Sequence, residues 1–229
     1  MRYSAAMDTI YKGDLSTPRG RRNAWVDALF VDHAVLRLFW TNFAPVVPGK
    51  LYRSNHPTPG NLRSFTRKIG LRTLINLRGQ AKNGSDALSR EEAHRLGLDF
   101  YDMAFESRGA PHKERILRLA GIIKQMRAPA LIHCKSGADR AGLVAGLYIL
   151  INGGSAAEAM KQLSLKFGHI KHSKTGILDA FFRLYQQTAE GRKPFLDWVR
   201  EDYDESELRA AFRAGRVAEF INGKLLRRE

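Results

Sequence analysis

The sequence predicts an α/β fold with a mostly parallel central sheet flanked by helices, and three observations lead there. Short apolar runs, LRTLINL at 71–77, LDFYDMAF at 98–105 and ALIH at 130–133, have strand length and alternate with helix-length segments. Helix-start signals stand before and between them, Thr58-Pro59 as a cap followed by a first-turn proline and Ser89-Arg90-Glu91-Glu92 as a capping box. No internal repeat, low-complexity tract or linker divides the 229 residues, so one large domain with extensions is expected.

Taken in order, residues 1–22 mix Gly, Ser, Pro and Arg and read as a poorly ordered leader. From Asn23, a candidate cap, Trp25, Ala28, Leu29, Ala34, Leu36, Phe39 and Trp40 fall near helical spacing. The expected divisions are 1–44 (leader and amphipathic helix), 45–190 (main domain) and 191–229 (helical extension). Pro45, Pro48 and Gly49 punctuate the chain, and KLYRSN is expected to be a short edge strand. A helix runs from Thr58 to about Ile69, another from about His112 to Met126, and three more occupy about 141–152, 155–167 and 174–190. The last stretch reads as two or three short, charged helices.

The net charge is +15, from 38 Lys and Arg against 23 Asp and Glu, and it is spread along the chain. Such a field attracts phosphate-bearing partners without choosing among them. Neither an interleaved aromatic-basic ribbon nor a helix-turn-helix pattern accompanies it, so no nucleic-acid partner is expected. The single cysteine, Cys134, excludes an internal disulfide and a thiolate-rich zinc site and suits a reducing compartment. Without a signal pattern or a run of eighteen apolar residues, a cytoplasmic, non-spanning protein is expected. Peripheral membrane contact stays open through segment 24–43, aromatic and preceded by arginines, although such an element more often packs on its own domain. KFGHIKHSKTG at 166–176 is a second basic stretch that suits either an anionic surface or plain solvation.

The chemistry concentrates in LIHCKSGADRAGLVAG at 131–146. A strand, a loop of small residues and a helix build an anion site, because loop N–H groups turn inward and the helix adds its positive end. Lys135, Ser136, Gly137, Ala138, Asp139 and Arg140 would line it as a phosphate-binding loop. Cys134 stands where those N–H groups favour a thiolate, and Arg140 offers a planar fork for two phosphate oxygens. Sulfur could then attack phosphorus in line and form a phosphocysteine that water hydrolyses.

His133-Cys134-x5-Arg140 resembles the signature loop of the cysteine-based protein tyrosine and dual-specificity phosphatases. VPGKLYRSNHPTPGNL, LRTLINLRG and the helices after the loop extend the likeness to the compact bacterial members, over roughly residues 45–190. The resemblance implies a dual-specificity-phosphatase-like fold with extra N- and C-terminal helices and a phosphomonoesterase that needs no metal or other cofactor. It also gives His133 a loop-ordering role. Phosphotyrosine protein and anionic phospholipid or inositol phosphate are both candidate substrates. Most of the superfamily has Ser or Thr after the arginine, to assist the leaving sulfur, but here the residue is Ala141. The usual upstream Asp acid aligns with Ser107 in YDMAFESRGAP. Three carboxylates compete for its role. Asp139 resembles the Asp before the loop arginine in phosphatases that accept phosphoinositides, while Glu106 and Asp102 are the alternatives. These departures keep open a phosphate-binding pseudophosphatase. Arg78, at the end of its strand, could hold substrate or make a structural ion pair.

Overall fold

The computed structural model describes residue 11, residues 13–33, residue 35 and residues 40–225, with side chains described to residue 215. The chain divides into two compact units, Met1–Ala104 with Gln125–Ala141 and Phe105–Lys124 with Gly142–Glu229.

The first unit holds the sheet. Its strands are β1 Ala44–Val47, β2 Leu51–Ser54, β3 Thr73–Asn76, β4 Asp99–Asp102 and β5 Ala130–His133, in the spatial order β1-β2-β5-β3-β4. All pairings are parallel except β1 with β2, which is antiparallel. The α/β class and mostly parallel sheet are therefore as expected. KLYRSN is not the edge, however, because residues 44–47 add a strand outside it. Proline hides that strand in the sequence, and edge position reconciles the two, since Pro45 lacks a ladder donor and a register shift follows it between Pro45 and Val47.

Among the described residues, three helices belong to this unit, α1 Pro18–Val26, α2 Pro59–Ile69 and α3 Gly84–Arg95. Helix α1 begins inside the expected leader because the Thr17 side chain accepts from Gly20 N and Pro18 occupies the first turn, so the cap is not Asn23. The helical path continues as a π-turn over Asp27–Val31 and ends at Asp32, and residues 40–43 are not helical. Of the remaining positions of the expected 24–43 helix, residues 34 and 36–39 lie outside the described residues, as do residues 1–10 of the leader. Helix α2 starts as expected, with Thr58 and Asn61 capping each other. Helix α3 is capped by Asn83 instead of Ser89, which falls in its interior. Leu62 and Phe65 of α2 and Ala93 of α3 bury against Leu74 of β3 and Leu131 of β5. Complete burial of a leucine contributes about 2 kcal/mol, so this layer holds the strand ends in place.

The helices of the second unit are α4 Lys113–Gln125, whose last residue falls in the first unit, the body of α5 Asp139–Ile151, then α6 Ala156–Met160, α7 Ile177–Thr188, α8 Phe195–Glu201 and α9 Glu205–Leu225. Phe181, Tyr185, Phe195, Trp198 and Tyr203 form an aromatic cluster in which Phe181 and Tyr203 lie 5.0 Å apart. The helix expected over 155–167 breaks after Met160 and resumes only as a 3₁₀ turn at Leu165–Phe167. Among the described residues, no helix is long and apolar enough to cross a membrane.

Candidate functional site

β5 lies between β2 and β3, and all four of its residues are buried, as an apolar central strand should be. Cys134 follows directly, 2 % exposed, and α5 begins five residues later at Asp139. Gly137 N–H donates to the Cys134 Sγ at 3.2 Å. Gly137 itself has φ 77°, and a Cβ there would stand 2.8 Å from the Asn55 nitrogen and the Ser54 carbonyl carbon. Both the turn and the close approach of β2 therefore require glycine.

The loop is held from below by a residue that sequence reasoning missed. Arg53 of β2 is fully buried, and its Nη2 donates to Gly137 O at 2.7 Å and to Ala138 O at 3.0 Å. Because a trans peptide sets C=O and N–H on opposite sides, drawing these two carbonyls toward Arg53 turns the N–H groups of Ala138 and Asp139 the other way. An inward-facing set of N–H groups at a helix start is an anion cradle. Burial pushes the Arg53 guanidinium down to about 10, against the pull of Cys134 and Asp139, so it remains charged at neutral pH. The available signal was an arginine in the middle of a strand adjoining ALIH, where a charge must be paired to be buried.

Further ties come from Asn42, whose Nδ2 donates to Ser136 O at 3.1 Å, and from His56 N–H to Lys135 O at 3.3 Å. Asn42 has φ 52°, a left-handed conformation that Asn tolerates better than most residues. Asn55 in turn fastens its neighbours, donating from N–H to Thr41 O and from Nδ2 to Trp40 O. Ser136 and Lys135 are exposed at the rim. Arg140, half-buried, makes one hydrogen bond among the described residues, from Nη1 to Leu77 O at 3.5 Å. That long contact leaves most of its fork for a ligand.

Arg78 is not open to substrate here. It grips the Asp32 carboxylate through both terminal nitrogens at 2.9 Å, and Lys135 Nζ lies 3.4 Å from the same carboxylate. The His56 Nε2 lies 3.1 Å from Ser85 O, which can only accept, so Nε2 carries the proton and Nδ1 accepts from Arg78 Nη1 at 3.2 Å.

The His133 ring is wholly buried and meets His56 edge-on at 4.7 Å. Burial first, then the nearby His56 and the guanidiniums of Arg78 and Arg140, hold it well below the ordinary histidine value of 6.5, while contact with the Cys134 backbone opposes the shift. A neutral ring fits a loop-ordering role better than proton transfer. It also sets a pH dependence. Below pH 6.5 the unfolded chain takes up a proton that the folded chain refuses, so stability falls with pH by up to about 1.4 kcal/mol per unit, and above 6.5 the ring contributes nothing. His133→Asn should flatten the denaturant midpoint between pH 6.5 and 5 relative to wild type. Parallel profiles would show that the ring is not kept neutral.

Of the three candidate acids, Asp139 opens α5 and is half-buried, close enough to Arg53 to feel its charge. Asp102, at the end of β4, receives both terminal nitrogens of Arg90 at 2.7 and 2.9 Å and Asn76 Nδ2 at 3.0 Å. Glu106 belongs to the second unit, where its Oε1 takes Arg115 and lies 3.3 Å from His112 Nε2, and its Oε2 is buried without a hydrogen bond among the described residues. His112 is itself held by Glu205 at 2.5 Å. Ala141 is fully buried in the first turn of α5. Among the described residues, no group of three or more His, Cys, Asp or Glu side chains could hold a metal ion.

A mostly parallel sheet that delivers a thiol to a strand–loop–helix, with loop N–H groups turned inward and an arginine at the exit, defines an α/β protein whose loop can receive an anion. The chain belongs to the tyrosine phosphatase family, whose model matches residues 38–187. Among solved structures it is similar to TpbA of P. aeruginosa, at 19 % identity and a TM-score of 0.52, over 75 % of this chain and 90 % of that one. It is also similar to a DUF442 protein from Shewanella putrefaciens CN-32, at 17 % identity and a TM-score of 0.51, over 68 % of this chain and 95 % of the other. At such identities the likeness shows the fold. No curated protein matches the chain.

Proposed function

We propose that this phosphatase hydrolyses phosphomonoesters without a metal, through a phosphocysteine on Cys134. The observation that carries the reading is the inward turn of the loop over the thiol, with Gly137 N–H on the sulfur and Arg53 beneath the two carbonyls. The Gly137 N–H on the sulfur places it at the floor of the cradle, and the same cradle receives the phosphoryl oxygens. Sulfur attacks phosphorus as the ester P–O bond breaks, Arg140 takes two of the equatorial oxygens, and the leaving oxygen collects a proton from Asp139. Water then attacks phosphorus, the P–S bond breaks, and the water proton returns to Asp139, leaving inorganic phosphate and thiolate. The backbone of Lys135, Ser136, Gly137, Ala138 and Asp139 lines the phosphate, and His133 orders the loop.

Asp139 is preferred as the acid because it stands beside Arg140, at the end of the loop where the leaving group departs. Asp102 would first have to give up the Arg90 fork. Glu106 remains the alternative, on the strength of its unbonded buried oxygen. Asp139→Asn should lower kcat/KM by about a hundredfold or more for an alkyl phosphate, and by less than about tenfold for p-nitrophenyl phosphate, whose leaving group needs little protonation. Equal losses on both esters would remove Asp139 from the role.

The substrate is a phosphotyrosine protein or an anionic lipid or inositol phosphate. The family favours the first, whereas the +15 charge and the exposed Lys135 beside the nucleophile favour the second. Phosphate release in the presence of chelator, from a phosphotyrosine peptide and from a soluble phosphoinositide, tests both halves. Release from either establishes the hydrolase and its preferred ester. Chelator-sensitive release would overturn the metal-free mechanism.

A further inference from the structure

The charges beside the cradle are arranged in an unusual way. Lys135, next to the nucleophile, and Arg78, next to the Leu77 carbonyl that meets Arg140, both turn to one carboxylate, Asp32. That carboxylate is nearly buried, at 6 % side-chain exposure, and the Arg78 side chain is 12 % exposed. Asp32 comes from the end of the π-turn after α1, ahead of the residues that match the family. A bidentate Arg joined by a Lys is the cation set that proteins present to phosphate, and here a carboxylate of the chain itself fills it.

We infer that Arg78 and Lys135 form a second anion subsite beside the phosphate cradle, and that Asp32 closes it. Asp32 is thus a specificity determinant against ligands that carry a second phosphate next to the one in the cradle. The inference rests on the reading of the loop as a phosphate site. With Asp32 in place, a second phosphate must displace a carboxylate already held by the Arg78 fork, and at close range it meets a like charge. Removing that charge reverses both effects, while an isolated phosphate, bound by the loop and Arg140, is left largely unaffected.

The test is equilibrium binding of orthophosphate and tripolyphosphate by calorimetry in the Cys134→Ser protein, with and without Asp32→Asn. The Asn variant should bind tripolyphosphate about tenfold more tightly relative to orthophosphate, with orthophosphate affinity changed by less than about threefold. An unchanged ratio would overturn the subsite. Should Asp32→Asn fail to fold for want of a partner to Arg78, Asp32→Ala is to be refolded with formate, orthophosphate or tripolyphosphate. Rescue at the lowest concentration by tripolyphosphate supports the subsite, and no rescue by any anion overturns it. Because nothing is hydrolysed, the result stands apart from turnover. Loss of orthophosphate binding in the Cys134→Ser protein itself would instead strike at the cradle.

Discussion

Cys134→Ser is expected to reduce turnover roughly ten-thousand-fold or more while leaving the fold and the anion cradle intact. Serine keeps the size of the buried thiol, and its oxygen can still accept from Gly137 N–H, so the loop retains its inward turn. What is lost is the nucleophile. A hydroxyl is a far weaker nucleophile than the sulfur it replaces, and loss of a covalent nucleophile has cost up to about a millionfold in kcat elsewhere. Vanadate and phosphate should bind within about threefold of wild type, since Arg140 and the N–H groups are untouched. Acid-quenched wild-type protein should carry one phosphoryl group on Cys134 during turnover, detectable by intact mass, and the variant none. A variant with more than about one per cent of wild-type rate would refute the thiolate mechanism.

The second large effect is expected at a residue that never touches substrate. In Arg53→Met the Gly137 and Ala138 carbonyls lose their donor, and an orphaned buried carbonyl costs about 1–3 kcal/mol. Part of this is recovered, because a guanidinium whose burial pushes it down to about 10 no longer has to be buried. Stability should fall by about 2 kcal/mol, a shift readable as a lower denaturant midpoint. Catalysis should fall further, by about a hundredfold in kcat, because carbonyls seeking water rotate the loop peptides and take the opposing N–H groups off the transferring phosphoryl group. Arg53→Lys keeps the charge but loses the planar terminal nitrogen whose two N–H groups serve both oxygens, so it should lie between the two. If Arg53→Met loses stability with kcat unchanged, the arginine is a packing element and does not set the cradle.

The two predictions mark where local pattern ends. LIHCKSGADRAGLVAG showed the strand, the thiol, the loop and the following helix because each is written in adjacent residues: an apolar run, small residues, then helix formers. Thr58-Pro59 likewise made the start of α2 legible as a local cap, to which the structure adds Asn61. The same kind of reasoning failed where two local solutions compete. Ser89 offered a capping box, but Asn83 took the cap, and Gly84 beside it donates to the carboxylate of Asp27, in the π-turn after α1, at 2.6 Å. Pro45 argued against a strand until an edge position made its missing donor harmless.

By itself the sequence determined the α/β class, through strand-length runs alternating with helices, and the strand–loop–helix that carries Cys134 and Arg140, because adjacent residues decide both. Tertiary structure alone decided what supports and restrains that loop. Arg53 reaches Gly137 across 84 residues, Asn42 reaches Ser136 across 94, and Asp32 reaches Arg78 across 46. Such partners leave no periodic signature. A buried arginine, a left-handed asparagine and a shielded carboxylate are stable only with the charge or dipole that faces them, and that facing group is set by sheet order and by the path of the chain.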